Sequence, residues 1–299
     1  MEKRNMRMSA EKKENIYGYL LIAPALILII TIGVATIVNT FLYSFQYRML
    51  TDPNDVHWVG LDNFITLFRD PDFIACLWNT LVFAVLSVVL ELTVGFIGAL
   101  LMHKATRGKS LIRTAVLIPW AIPGIIVSYM FSFLFNDQLG VVNQLLMTAG
   151  ILRENIAWLS HPAWAMMAVV FADTWKQFPY VALMLLAGLQ TVPREQYESA
   201  SVDGAGKFRQ FFSITLPEIK SILLVVLLFR TMGAIRIFDI IFGMTGGGPA
   251  NSTSTLLFTA YKYLFGDMNF GLGSALSSII FLLILAFSIF YIRVFRTDD

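Results

Sequence analysis

Arg194-Glu-Gln-Tyr-Glu-Ser-Ala-Ser-Val-Asp-Gly-Ala-Gly-Lys-Phe-Arg-Gln-Phe-Phe-Ser-Ile-Thr-Leu-Pro217 joins two long apolar stretches, and its reading decides what kind of chain this is. Linking two membrane helices takes only a handful of residues, whereas this connection uses about two dozen, beyond the usual loop range. Its start carries helix signals: Pro193 suits a first turn, and Glu195 and Glu198 sit near the positive end of the helix dipole. Gly204 and Gly206 allow a backbone turn that residues with side chains resist. A second short helix is expected next, with Phe208, Phe211, Phe212 and Ile214 buried towards the body. Pro217 marks the junction with the following apolar run.

The flanking stretches are membrane spans. The chain has 299 residues, of which 57% are hydrophobic and 14% charged. Soluble domains carry about 25% charge, so much of this surface faces lipid. About 30 Å of hydrocarbon needs roughly 20 apolar residues at 1.5 Å each. Six segments qualify: Tyr17–Phe45, Trp78–Met102, Leu111–Phe135, Ala163–Leu189, Ile219–Phe242 and Leu272–Phe295. The expectation is an all-α polytopic protein, with a tail over residues 1–16 and one membrane-spanning domain over 17–299. The first segment has a basic lead and an Ala23-Pro24-Ala25 site, but its apolar run continues well past the length of a signal core, so it reads as an uncleaved anchor. In the first long loop, Trp58, Phe64, Phe68 and Phe73 suggest a segment lying along the membrane surface.

Orientation follows from lysine and arginine. Lys3, Arg4, Arg7, Lys12, Lys13, Lys104, Arg107, Lys109, Arg113, Arg194, Lys207, Arg209, Lys220, Arg293 and Arg296 lie on one side, fifteen in all. Arg48, Arg69, Arg153 and Lys262 lie on the other. Both termini and the 194–217 segment are therefore expected in the cytoplasm. The net charge of +2 gives no reason to invoke nucleic acid, and a lone Cys76 excludes an internal disulfide and a cysteine zinc site. His57, His103 and His161 have no metal-ligand spacing. Gly108-Lys109-Ser110 matches the end of a phosphate-loop pattern, but His103 stands where its first glycine is required and a span precedes it instead of a strand. Gly246-Gly247-Gly248-Pro249 reads as an outside turn. No ATP site is expected in this chain.

Charges inside the spans cost about 2.5–3.5 kcal/mol each on insertion scales, so they should face protein or water. Asp173, Lys176, Gln177 and Tyr180 fall at i, i+3, i+4 and i+7, on one helical face. They either satisfy one another, as an Asp173–Lys176 pair, or line a path for a hydroxyl-rich solute that needs donors, acceptors and a ring to stack on. In the next span, Gly233 and Arg236 either face the same path or act as glue between helices, with Arg236 and Asp239 close enough in sequence to pair. Glu91 stands alone and reads as a structural hydrogen-bond partner.

The 194–217 segment resembles the signature of inner-membrane subunits of ABC importers: Glu198-Ser199-Ala200, then Asp203-Gly204-Ala205, then Ile214-Thr215-Leu216-Pro217. Ser199 replaces the usual middle alanine. Val59-Gly60-Leu61-Asp62-Asn63-Phe64 with Asn79-Thr80-Leu81, Pro179-Tyr180 with Gly188-Leu189-Gln190, and Phe238-Asp239 through Thr245-Gly246-Gly247-Gly248-Pro249 to Ser252-Thr253 resemble the carbohydrate branch. The set is similar to maltose, trehalose and glycerol-phosphate permeases, and to the first of their two unlike permease subunits. The resemblance implies a type I importer permease fold in a prokaryotic cell membrane. It implies a second permease subunit, two ATPase subunits holding ATP and Mg, and an extracytoplasmic sugar-binding protein. It implies that Glu198, Ser199, Ala200, Asp203, Gly204 and Ala205 dock the ATPase, and it favours the sugar-path reading of Asp173, Lys176, Gln177 and Tyr180. A maltose- or trehalose-like sugar is expected, with glycerol phosphate as the alternative. A membrane-embedded enzyme using Asp173 and Asp239, or a scaffold, fits less well, because no clustered carboxylate motif is present and a scaffold leaves the long segment without a purpose.

Overall fold

The computed structural model describes residues 2–104 and 108–294, with side chains from residue 15 onward. Of the residues used for orientation, Arg107 and Arg296 lie outside the described set, as do the side chains of Lys3, Arg4, Arg7, Lys12 and Lys13. In chain order the helices begin with α1 (Glu2–Leu28) and α2 (Ala35–Ser44), which run on through a π-type turn. A hairpin of β1 (Gln46–Arg48) and β2 (Val56–Trp58) follows, then α3 (Asp62–Arg69) and α4 (Pro71–Lys104). Next come α5 (Lys109–Ala121), α6 (Gly124–Leu134), α7 (Val141–Thr148) and α8 (Pro162–Thr191). The 194–217 region forms α9 (Arg194–Val202) and α10 (Lys207–Gln210), which passes through a π-type turn into α11 (Leu216–Glu218). The chain closes with α12 (Lys220–Ile235), α13 (Asp239–Met244), α14 (Leu256–Tyr261) and α15 (Phe270–Val294).

Three helices are individually long and apolar enough to cross a bilayer: Asn15–Ser44, Pro71–Lys104 and Phe270–Val294. Two bent pairs of helices are long and apolar enough only when taken together, α5 with α6 at 89° and Lys207–Glu218 with α12 at 74°. The sixth expected span, α8, has the length, at 30 residues, but its polar middle dilutes its apolar character. The expected continuous span Leu111–Phe135 is therefore corrected to a broken one, and so is Ile219–Phe242, whose helix stops at Ile235 and resumes at Asp239. Ile122, the residue before Pro123, takes an extended conformation (ψ 132°), the one that the proline ring's clash with its preceding residue favours. The second break comes at Arg236–Phe238, where Arg236 and Ile237 donate only to the carbonyls three residues back. Irregular backbone at membrane depth is tolerated where it lines a polar cavity, and both breaks do so.

The body is organised around α4 and α8. Near their C-terminal ends, Gly95 and Ala99 of α4 meet Val181, Ala182 and Leu185 of α8, and Leu189 and Ile219 extend the same buried cluster. Small residues four apart let two backbones approach, the main source of helix affinity when lipid is as apolar as leucine. A Cβ on Gly95 would lie 2.5 Å from a methyl of Val181 and 3.3 Å from the backbone nitrogen of Ala182. At the N-terminal end of α4, side-chain amides and a hydroxyl satisfy loop backbone. Asn63 donates to the carbonyls of Ser44 (2.9 Å) and Gln46 (2.8 Å), closing the hairpin onto α2. Asn79 donates to Asn251 and Ser254 carbonyls, while the Thr80 hydroxyl accepts from the Leu256 amide. Four of the motif residues, Asn63, Asn79, Thr80 and Gly247 (φ 86°), are thus backbone-pairing and turn-forming devices.

Two expectations about aromatic burial need correction. Phe73 is 1% exposed and belongs to the core, because α4 begins at Pro71 and turns that ring inward; Trp58 and Phe68 stay exposed. Phe208 and Phe212 are exposed, at 84% and 59%. The segment carrying them crosses α12 at a steep angle, so of the four expected residues only Phe211, edge-on to Phe96 at 5.6 Å, and Ile214, packed against the α4–α8 cluster, reach the body.

The α4–α8 crossing gives a graded expectation. Gly95→Ala must displace Val181, an overpacking cost of about 1–3 kcal/mol, whereas the Cβ of Gly98→Ala meets only the Ala182 methyl at 3.3 Å. Thermal unfolding in one detergent should rank wild type and Gly98→Ala above Gly95→Ala. Equal midpoints for the two variants would contradict this account of the crossing.

Candidate functional site

The two helix breaks and the polar middle of α8 converge on one cavity of about 180 Å³. Its walls are Gly124 at the start of α6, Asp173, Lys176 and Gln177 on α8, Arg230 and Gly233 on α12, and Arg236, Phe238 and Asp239 at the second break. The α8 face is where the i, i+3, i+4 spacing puts it. Five of the six residues expected along the path therefore meet here: Asp173, Lys176, Gln177, Gly233 and Arg236. Tyr180 does not line this cavity. Seven residues along a helix is about 10.5 Å, so its ring lies further down α8, stacked on Trp120 at 6.3 Å.

Two of these walls, Asp173 and Arg230, belong to an ion network that continues behind the cavity to Glu91. Arg230 is 6% exposed, Asp173 2% and Glu91 0%. The guanidinium grips Glu91 with two parallel bonds, Nε to Oε2 and Nη2 to Oε1, the latter 2.6 Å long. Nη2 also donates to Asp173 Oδ2 at 3.3 Å. The planar fork suits a carboxylate held bidentately, which makes arginine the appropriate cation here. Glu91 does stand as a hydrogen-bond partner, and Arg230 is the group it holds. Asp173 pairs with Arg230 and not with Lys176, which instead donates to the Trp120 carbonyl at 3.4 Å. Arg236 donates to the Met232 carbonyl at 3.2 Å and makes no ion pair with Asp239 among the described residues. Lys176, Gln177, Arg236 and Asp239 thus present polar atoms to the cavity while Arg230 is held from behind.

The residues missed by sequence reasoning are the ones contributed by breaks and by long-range pairing. Gly124 admits Asp239, since a Cβ there would lie 2.5 Å from its carboxylate oxygen. The Glu91–Arg230 pair spans 139 positions. Its one sequence signal was an unmatched acid in one span and an unmatched base in another.

At the other end of α8, the 194–217 segment is a helix–turn–helix held by polar ties. Gly204 takes φ 77°, the Ala205 amide donates to the Ala200 carbonyl (2.8 Å) and the Gly204 amide to Ser201 (3.1 Å), a glycine-terminated helix cap. Gly206 sits at φ −71°, so the left-handed position is needed only at Gly204. Gln210 donates to Ser201 Oγ and the Ala205 carbonyl, Tyr197 and Thr215 share a 2.9 Å hydrogen bond, and Gln196 donates to Glu218 at 2.7 Å. Glu198, Ser199, Asp203 and Gly204 are exposed. The carboxylates of Glu198 and Asp203 have no hydrogen-bond or ion-pair partner among the described residues. Ala200 and Ala205 are half-buried and line a small groove with Asp203 and Arg209.

Residues 91–296 match the family model described as binding-protein-dependent transport system inner membrane component. The chain is 38% identical to a trehalose/maltose transport system permease protein of Thermococcus litoralis, over 98% of this chain and 99% of that one. It is 39% identical to a sulfoquinovosyl glycerol transport system permease protein of Agrobacterium fabrum, over 96% and 92% of the two chains. Its fold matches a chain of a bacterial ABC transporter that imports the acidic polysaccharide alginate, with a TM-score of 0.81, 22% identity and coverage of 97% and 98%. A second alginate transporter structure, 21% identical over 98% and 100% of the two chains with a TM-score of 0.81, contains a periplasmic protein loaded with an alginate pentasaccharide.

The network sets a stability order. Arg230→Met leaves Glu91 and Asp173 buried without their cation, and breaking a buried pair costs about 3–5 kcal/mol. Glu91→Gln leaves Arg230 with Asp173 and should cost less. Combining Glu91→Gln with Arg230→Met should recover part of the loss of Arg230→Met alone. Thermal midpoints of the purified variants test the order; a double variant that is less stable than Arg230→Met would refute the pairing.

Proposed function

This chain belongs to the binding-protein-dependent transport system inner membrane components, and from that premise we propose that it is a permease subunit of an ATP-driven importer carrying a sugar by alternating access. The observation that carries the substrate reading is the cavity itself. It gathers two acids, an amide, a lysine and two arginines between two broken spans, and broken helices at mid-membrane are where transporters build solute sites. Asp173, Lys176, Gln177, Gly233 and Arg236 form the path in this reading, with Tyr180 and Trp120 as a stacked platform further along it. A disaccharide or oligosaccharide of the trehalose/maltose kind suits the mixed donors and acceptors, and the names of the similar permeases support that class. Lys176 and Arg236, cations without an ion pair among the described residues, favour glycerol phosphate as the second reading.

The chain is a transport component and not an enzyme, and its energy comes from elsewhere. Two ATPase subunits bearing ATP and Mg are proposed on the cytoplasmic side, together with a second, unlike permease subunit and a binding protein that delivers sugar from outside. In this arrangement both termini and the 194–217 segment face the cytoplasm of a prokaryotic cell. Glu198 and Asp203 offer unpartnered carboxylates to basic groups on the ATPase. Ser199, Ala200, Gly204 and Ala205 keep the docking turn small.

Three measurements test this reading. ATP-dependent uptake of labelled trehalose, maltose and glycerol 3-phosphate into proteoliposomes of the whole complex should be highest for a disaccharide. Transport of none of them by an active ATPase complex would overturn the substrate class. Lys176→Ala and Arg236→Ala should lower uptake at least tenfold, the order of one or two lost polar contacts, with assembly intact. Gly204→Val, strained at φ 77°, should release the ATPase on detergent extraction or leave hydrolysis uncoupled from uptake. Wild-type retention and uptake together would sink the docking assignment.

A further inference from the structure

A second, larger groove lies away from the cavity, between the C-terminal ends of α4 and α8 and the second helix of the 194–217 segment. It has a volume of about 620 Å³. Leu100, Leu189 and Phe211 form its floor, and His103, Lys104 and Lys207 stand on its rim. Neither lysine has an ion pair among the described residues, and no aspartate or glutamate lines the groove.

Its position sets its environment. Lys104 is the last residue of the spanning helix α4, and Leu189 stands two residues before the end of α8. That level of a span is where hydrocarbon gives way to headgroups. The wall formed by Lys207–Glu218 lies at 74° to the span it precedes, which sets it roughly along the membrane plane. It is built as an interfacial helix is built, with Lys207 and Arg209 among Phe208, Phe211, Phe212 and Ile214. The exposure of Phe208 and Phe212, unexplained by packing within the chain, fits rings resting in the headgroup boundary.

We propose that this groove binds an anionic phospholipid of the surrounding bilayer, its acyl chain against Leu100, Leu189 and Phe211 and its phosphate between Lys104 and Lys207. Charge complementarity selects the headgroup. Two lysines and a histidine answer a net negative lipid such as phosphatidylglycerol, while a choline or ethanolamine ammonium finds no carboxylate there. Basic pockets between spans on the side rich in lysine and arginine take acidic headgroups by the same physics. A soluble protein would have to enter the headgroup layer to reach the floor. The inference requires neither the sugar nor the ATPase, so it stands or falls apart from the transport reading.

The test uses the full chain in bilayers of equal phosphatidylglycerol and phosphatidylcholine, released into mild detergent and weighed intact by native mass spectrometry. Wild type should retain phosphatidylglycerol in preference to phosphatidylcholine. The double variant Lys104→Gln/Lys207→Gln should retain on the order of tenfold less, and Lys104→Arg/Lys207→Arg should restore it. A photoreactive phosphatidylglycerol on the wild-type protein should label peptides spanning 96–104 and 207–215, which needs no variant to fold. Equal retention of the two lipids, unchanged retention in the glutamine variant, or labelling confined to other regions would each overturn the proposal. So would a glutamine variant that loses a protein partner while keeping its phosphatidylglycerol, because the groove would then be a protein seat.

Discussion

The guanidinium of Arg230, gripping Glu91 with one edge and reaching Asp173, is the constraint from which the rest of the bundle follows. A charge stranded in hydrocarbon costs several kcal/mol, so α12 can pass through the membrane only with that side chain turned towards α4 and α8. This fixes the rotation of three spans at once. Gly233, one turn after Arg230, is then placed over the guanidinium, where a Cβ would come within 3.0 Å of Nη1, and the break at Arg236 opens over the polar face of α8. The cavity is a consequence of how a buried charge was satisfied. Its polar lining is affordable because the strongest charge nearby is answered from below by Glu91, which the cavity never sees.

The architecture was legible where apolar length carried the signal. The spans Asn15–Ser44, Pro71–Lys104 and Phe270–Val294 agree with the sequence reading to within a few residues at most ends, except that α4 begins seven residues early because the loop before it is helical to Pro71. The polar face of α8 was legible too, since its four members fall on one stripe and three of them meet in the cavity. The turn at Gly204 was readable from the type of residue alone.

What could not be read has three distinct causes. The break at Pro123 had its local signal, but a proline within an apolar run is compatible with a continuous helix, as Pro119 and Pro179 are, and the 89° bend goes with the packing of α6 against α13. The break at Arg236 has no proline; it depends on contacts from distant segments, such as the Thr255 hydroxyl on the Ile237 carbonyl. Phe208 and Phe212 were misjudged because apolar residues were assumed to seek protein, whereas at the edge of a bilayer they have another apolar phase to face. The ion network shows a further limit: a pairing partner in a different span is chosen by three-dimensional proximity, and Lys176 and Asp239, nearer in sequence to their expected mates, were not the ones selected.

The 74° elbow between Lys207–Glu218 and α12 has a mechanical meaning. The lower arm is twelve residues, about 18 Å of helix, and α12 above the elbow is sixteen residues, about 24 Å. The hydrogen bonds from Tyr197, Gln210 and Gln196 tie the lower arm to α9, and Ile219, fully buried among α4 and α8 residues, sits at the elbow between the two arms. Were the two arms to turn rigidly about Ile219, a displacement at the Lys207 end would reappear at Arg236 multiplied by roughly 1.3, the ratio of the two arm lengths. The far end that such a rotation would carry is one wall of the cavity.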